Sequence, residues 1–299
     1  MDAPVPSPSL RALVAGLVDY AGLFPPASLN MPDAVASYAQ HQVSADAWML
    51  GRFIVPAVRL DQLAADAARH VGGTASPWRL SALVDGDALD DARRIRAFNA
   101  AHRGRFVVDT AEVKADSPDR IELVTRNLGP ELQVYVELPR DPDPRPLLQA
   151  VQHAGARAKI RTGGVTVDAF PSAAQLARFI ARCADLRVPF KATAGLHHPL
   201  RGEYRVTYQP GAPLATMFGF LNVFVAGALV SAGIAEAELV ALLEERKRTS
   251  FTFGTDGLRW RHHSISLDQL AQARASFAIA FGSCSFREPV DDLQELALL

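Results

Sequence analysis

The chain has 31 basic residues, and only four are lysines: Lys114, Lys159, Lys191 and Lys247. Where a positive charge alone is needed, this sequence writes Arg. Two of the four lysines interrupt apolar, strand-like runs, AKIRTGG and PFKATAG. Lysine differs from arginine in carrying an amine that environment can tune into a nucleophile or a base. Placed on adjacent strands at similar depth, Lys159 and Lys191 repel each other, and burial adds to the cost of holding two charges. A neutral amine is what imine formation with a carbonyl requires. The same spacing also fits two lysines that merely neutralise buried acids such as Asp109 or Glu137.

Holding two such amines side by side takes a repeating framework, and the sequence supplies one. Short β-rich runs begin near residues 52, 79, 105, 133, 157 and 189, a step that suits one strand plus one helix. The runs are mostly continuous apolar stretches, as parallel strands buried on both faces are. Helical periodicity lies between them, for example at Leu60, Leu63, Ala64 and Ala67, and at Leu176, Phe179, Ile180 and Cys183. Ser172 with Gln175, and Ser266 with Gln269, have capping-box spacing and predict helix starts. Strands in LVDYAGLF (17–24) and FAIAFGS (277–283) bring the number to eight. The predicted fold is α/β, a single (β/α)8 barrel over 1–299, with a helical insertion at about 200–277 between strands seven and eight. An open doubly wound sheet is the alternative.

In such a barrel the active site lies at the C-terminal ends of the strands. That rule selects Asp85 after strand three, Asp109 and Glu112 on strand four, and Glu137 on strand five. Strand six offers Lys159, Arg161, Thr162, Gly163 and Gly164. Strand seven offers Lys191, Thr193, Gly195, His197 and His198, and strand eight Gly282, Ser283 and Ser285. Arg161 shares the face of Lys159 and fits either a bidentate anion clamp or a structural ion pair. The Gly163-Gly164 and Gly282-Ser283 turns precede helices and present backbone N–H groups to an anion. Of His197 and His198, one is expected to point outward. Cys284 has no histidine that the sequence places beside it and reads as an inert side chain. His262 and His263, inside the insertion, read as a solvated loop or as a lid over the mouth.

KIRTGG followed by FKATAG resembles the paired-lysine motifs of the deoxyribose-phosphate aldolase family of class I aldolases. The likeness covers Lys159 to Gly195 well, and extends to VVDT at Asp109, LQVYVE at Glu137 and the FGSCS turn. It implies that Lys159 forms the Schiff base, that Lys191 lowers its pKa, and that Asp109 is the acid/base partner. Glu137, at the end of its own strand, is a second candidate for moving the proton. The family's strand-seven turn has a Gly-Gly pair for a phosphate, whereas this chain has Ala194-Gly195-Leu196-His197-His198.

The leading expectation is therefore an aldolase-like carbon–carbon lyase acting on a small, anionic carbonyl compound, with no cofactor and no metal. The first alternative is a divalent-metal lyase, isomerase or racemase with Asp85, Asp109 and Glu137 as oxygen ligands. The second is a non-catalytic barrel subunit. A net charge of −1 argues against a nucleic-acid partner. Two cysteines exclude a disulfide framework. The N-terminal residues show no secretory pattern, so a cytoplasmic protein is expected. Leu214 to Ala235 carries no charge over a span-length stretch, but its Asn222 and its glycines favour a buried or interface helix over a membrane span. Such a helix would pack against a twin, which makes a homo-oligomer the expected partner state.

Overall fold

The apolar runs close into a ring. A computed structural model describes residues 5–71, 76–141 and 143–299. Its strands are β1 (Val18–Tyr20), β2 (Leu50–Pro56), β3 (Trp78–Val84), β4 (Phe106–Lys114), β5 (Gln133–Glu137), β6 (Arg157–Arg161), β7 (Phe190–Thr193), β8 (Gly202–Arg205), β9 (Leu214–Met217), β10 (Phe251–Phe253), β11 (Gly257–Trp260), β12 (His263–Ser266) and β13 (Ala278–Ser283). The helices are α1 (Pro8–Val14), α2 (Met31–Gln42), α3 (Leu60–Ala67), α4 (Ala88–Ala101), α5 (Pro118–Leu128), α6 (Arg145–His153), α7 (Ala173–Asp185), α8 (Phe220–Ser231), α9 (Glu236–Leu243), α10 (Leu267–Ser276) and α11 (Arg287–Glu295). Strands β1 to β7 and β13 form a closed, all-parallel barrel in chain order, with β13 pairing back to β1. This is the (β/α)8 architecture, and both expected capping boxes start their helices, α7 and α10.

Side-chain alternation assigns the two faces of the wall. Phe53, Trp78, Phe106 and Phe190 point outward and are fully buried under helices. Trp78 meets Tyr38 of α2 edge-on at 4.9 Å, a favoured aromatic geometry. The inward face carries charges where branched aliphatics usually fill a barrel. Register lines up Lys114, Glu137, Lys159 and Lys191 in one row across β4 to β7. The next row toward the mouth holds Arg161, Thr193 and Gly282.

The region between β7 and β13 is more than a helical insertion, since it also holds five strands. The β8–β9 hairpin comes first, then α8 and α9, then the antiparallel sheet β10–β11–β12, then α10. The charge-free segment is split between β9 and the twelve-residue α8. All residues from Phe220 to Leu229 are buried, because α8 lies against β13 and is covered by α7, α9 and α10. Gly227 allows the close approach, since a Cβ there would stand 2.7 Å from that of Ala278. Asn222 ties this packing together: Nδ2 donates to the carbonyls of Leu242 and Glu245 at 2.8 Å, and Oδ1 accepts from the Arg201 amide. The apolar face expected to meet a second copy is thus covered by its own chain. No helix among the described residues is long and apolar enough to cross a membrane.

Candidate active site at the barrel mouth

A cavity of about 490 Å³ opens at the C-terminal ends of the strands. Lys159 lines it, and Lys191 does not. The Lys159 Nζ lies 2.8 Å from Glu112 Oε2 and 2.8 Å from Glu137 Oε2. Lys191, fully buried, donates to Asp19 Oδ2 at 2.6 Å and to Glu112 Oε1 at 2.7 Å. Ser81 adds a hydrogen bond to Glu112 Oε1 at 2.7 Å. Glu112 therefore joins the two amines, one through each oxygen.

The electrostatics follow from this packing. Burial alone pushes the Glu112 carboxyl up, but Lys159 and Lys191 more than offset it and hold it well below the usual range. Glu137 is lowered the same way, burial being outweighed by Lys159 and Arg161. Burial disfavours the charge of Lys191, yet Asp19 and Glu112 overcome that and raise its pKa above the ordinary value. The mutual repulsion expected of two bare amines is thus met by carboxylates placed between and behind them, and Lys191 stays an ammonium.

Asp109 is not part of this group. Its carboxylate is held by Arg52 Nε at 2.6 Å and by Arg79 at 2.7 Å. Burial raises its pKa and the two guanidiniums lower it further than that. A bulge in β4 explains the placement: Leu80 pairs with Val108 but Ser81 pairs with Thr110, leaving Asp109 as the extra residue. Asp109 and Glu112 both reach the interior as a result, but they lie three positions apart, ~10 Å of strand. The position expected of Asp109 is occupied by Glu112. Asp85 is exposed in the loop after β3, so Asp85, Asp109 and Glu137 do not converge on one ion site. Among the described residues, the one group of three with ligand atoms close enough for a shared ion is Glu238, His262 and His263. His263 contacts Glu238 of α9 at 2.8 Å, so this pair of histidines sits beside α9 and is not among the residues around the cavity. The element that does reach over the mouth is the β8–β9 hairpin, which contributes Arg205, Val206, Thr207, Tyr208 and Met217 to the lining.

Of the other expected residues, Arg161, Gly163, Gly164, Thr193, Gly195 and Gly282 line the cavity. Arg161 is paired with Glu137 at 3.1 Å. Thr162 is buried, and its hydroxyl donates to the Ala194 carbonyl at 2.6 Å. Gly163 and Gly195 serve close packing: a Cβ on Gly163 would meet Phe170 and come 2.9 Å from the Gly195 Cα. Ala194 and Gly195 both take left-handed backbone angles, φ +62° and +72°. Ser283 and Ser285 fall outside the lining; Ser285 Oγ instead accepts the Glu288 amide at the start of α11.

His197 and His198 both turn toward α11 and both line the cavity, contrary to the expected divergence. His198 Nδ1 meets Asp292 at 2.6 Å and stacks on Tyr204 at 3.5 Å. His197 Nδ1 meets Glu288 Oε2 at 2.9 Å, and its Nε2 lies 4.0 Å from Cys284 Sγ. Burial lowers the imidazole pKa, but Cys284 and Glu288 outweigh it and raise His197 to about 10. Tyr208 donates to Glu288 Oε2 at 2.7 Å. Strand-end reasoning missed Asp19, Glu288, Tyr208 and the histidine partner of Cys284. Of these, only Asp19 had a signal: it ends the run LVD.

Compared with models of known protein families and with curated proteins, the chain matches none.

Proposed function

We propose that this protein is a class I, imine-forming carbon–carbon lyase that acts on a small carbonyl compound at Lys159. The observation that carries the reading is the asymmetry of the two lysines: one amine faces the cavity between two carboxylates, and the other is buried behind it. The likeness to the deoxyribose-phosphate aldolase motifs supports the same assignment of Lys159.

In this mechanism the proton of the Lys159 ammonium passes to Glu137, which touches it and borders the cavity. The freed amine adds to the substrate carbonyl, Glu137 returns its proton to the carbinolamine oxygen, and loss of water leaves a protonated imine beside a Glu137 that is again a carboxylate. Glu112 and Glu137, both held ionised, stabilise that cation where it forms. Glu137 takes the proton of the substrate's β-hydroxyl, the carbon–carbon bond beside the iminium breaks to an aldehyde and an enamine, and the reverse flow forms the bond. Lys191 is a positioning residue: its charge keeps Glu112 ionised and in place.

Arg161 is the group suited to hold an anionic end of the substrate, since it is cationic, half-exposed and borders the cavity. A phosphate at α11 is disfavoured, because Glu288 already places a carboxylate there. An oxo acid or hydroxy-carbonyl compound fits better.

Borohydride reduction with small aldehydes and ketones near neutral pH, followed by peptide mass mapping, tests the proposal. Selective adduct formation at Lys159, absent in Lys159→Arg, is the expected result. Adducts centred on Lys191 would reverse the roles. Slow, equal labelling of all four lysines would overturn the imine mechanism.

A further inference from the structure

The cavity holds a second potential nucleophile that the imine chemistry does not use. Cys284 stands between β13 and α11 and borders the same cavity as Lys159. Its Sγ is 4.0 Å from His197 Nε2, whose Nδ1 is 2.9 Å from Glu288. Nucleophile, base and orienting carboxylate thus stand in the sequence that activates a side-chain nucleophile. Tyr208, from the β8–β9 hairpin, closes the group, with its hydroxyl 3.5 Å from Sγ and 2.7 Å from Glu288. The other cysteine, Cys183, is buried in α7 with no such partners among the described residues, and burial raises its pKa.

We propose that Cys284, served by His197 and Glu288, is a second covalent subsite that captures the aldehyde half of the substrate as a hemithioacetal. The proposal rests on the imine reading for its substrate class, because carbon–carbon cleavage at Lys159 leaves one half on the amine and frees the other as an aldehyde. The one proton of the pair rests on His197 Nε2, whose pKa is raised to about 10, so the sulfur attacks as the thiolate. The sulfur then forms a bond to the aldehyde carbon, the carbonyl π pair moves to oxygen, and the proton passes from His197 to that oxygen. No oxidant or reductant enters, and the step reverses. Its use is to retain the aldehyde beside Lys159 and release it there, by the reverse step, for attack by the enamine, which makes bond formation effectively unimolecular.

The test uses iodoacetamide alkylation of the whole protein at neutral pH, mapped by peptide mass, with Cys183 as internal reference. In the wild type, Cys284 is expected to react at least ~10-fold faster than glutathione. His197→Asn should remove the advantage. Glu288→Gln should move the midpoint of the alkylation rate to higher pH, whereas a merely structural Glu288 would change the rate equally at every pH. Acetaldehyde should protect Cys284 saturably in the wild type and equally in Lys159→Arg, where no imine can form. Ordinary thiol reactivity in the wild type, or no protection by acetaldehyde in Lys159→Arg, overturns the proposal without any variant of the triad. Protection in Lys159→Arg together with failed borohydride trapping at Lys159 would leave the thiol subsite standing and remove the imine mechanism.

Discussion

Lys159 and Lys191 share one carboxylate: Glu112 touches the first with Oε2 at 2.8 Å and the second with Oε1 at 2.7 Å. The three side chains come from β4, β6 and β7, so β5 lies between the acid and the nearer amine. Glu137 of β5 fills that interval and completes the contacts of Lys159.

Replacing the bridge should be costly. Glu112→Gln leaves two buried ammoniums around a neutral amide, and breaking a buried ion pair costs about 3–5 kcal/mol. Urea denaturation should show a loss of that order, and borohydride trapping at Lys159 should fall with it. Unchanged stability would mean that Glu112 does not hold the two lysines.

Asp109→Asn should behave differently. It weakens the contacts with Arg52 and Arg79 near the opposite end of the barrel. Sites more than about 7–10 Å apart act nearly independently. Trapping at Lys159 should therefore stay within about twofold of wild type, with a stability loss of about 1–3 kcal/mol. A collapse of trapping would return the acid/base role to Asp109.

Stability should vary with pH in three windows, by linkage. Glu112 and Glu137 have folded pKa values below the ordinary 4.5, so their contribution is present above that value and lost as pH falls. His197 is raised from 6.5 to about 10, so its contribution is full below pH 6.5 and fades as pH rises toward 10. Lys191 is raised above 10.5, so its contribution is full below that value and lost only in stronger base. Denaturation midpoints from pH 2 to 12 should show the whole of the middle window and the onset of the outer two, and His197→Asn should flatten the middle one alone.

Arg274 is a structural keystone outside the site. It is buried in α10 and donates to the carbonyls of Leu13 at 2.6 Å, Ile279 at 2.6 Å and Ala15 at 3.3 Å, and also to that of Ala278. It thereby fastens α1 and the start of β13. Arg274→Met would leave these acceptors unpaired, with an expected loss of about 2–4 kcal/mol measured by thermal unfolding. Trapping at Lys159 by the folded fraction should be unaffected.

Gly163→Ala tests the packing of the two lysine-bearing strands. The new methyl would collide with Phe170 and with the turn at Gly195. Overpacking of this kind costs about 1–3 kcal/mol. Because the collision joins the ends of β6 and β7, slower trapping should accompany the loss, which circular dichroism and the adduct assay read separately.

Much of the framework was legible in the sequence because it is set by local, short-range rules. Apolar runs at steps of one β/α unit marked β2 to β7 within a residue or two, and two capping boxes fixed the starts of α7 and α10. The strand-end rule reached Lys159, Lys191, Glu137 and Arg161, since alternation within one strand decides which side chains point inward. The rest depended on relations between strands and loops. A bulge paired out against β3 carried Glu112, rather than Asp109, to the lysines. Closure of the ring brought Asp19 of β1 to Lys191, 172 positions away. The turn after β7 met the start of α11, which gave Cys284 a histidine 87 positions distant. Periodicity carries no information about such meetings: they are decided by ring closure, by register across neighbouring strands, and by where long connections fold back over the mouth.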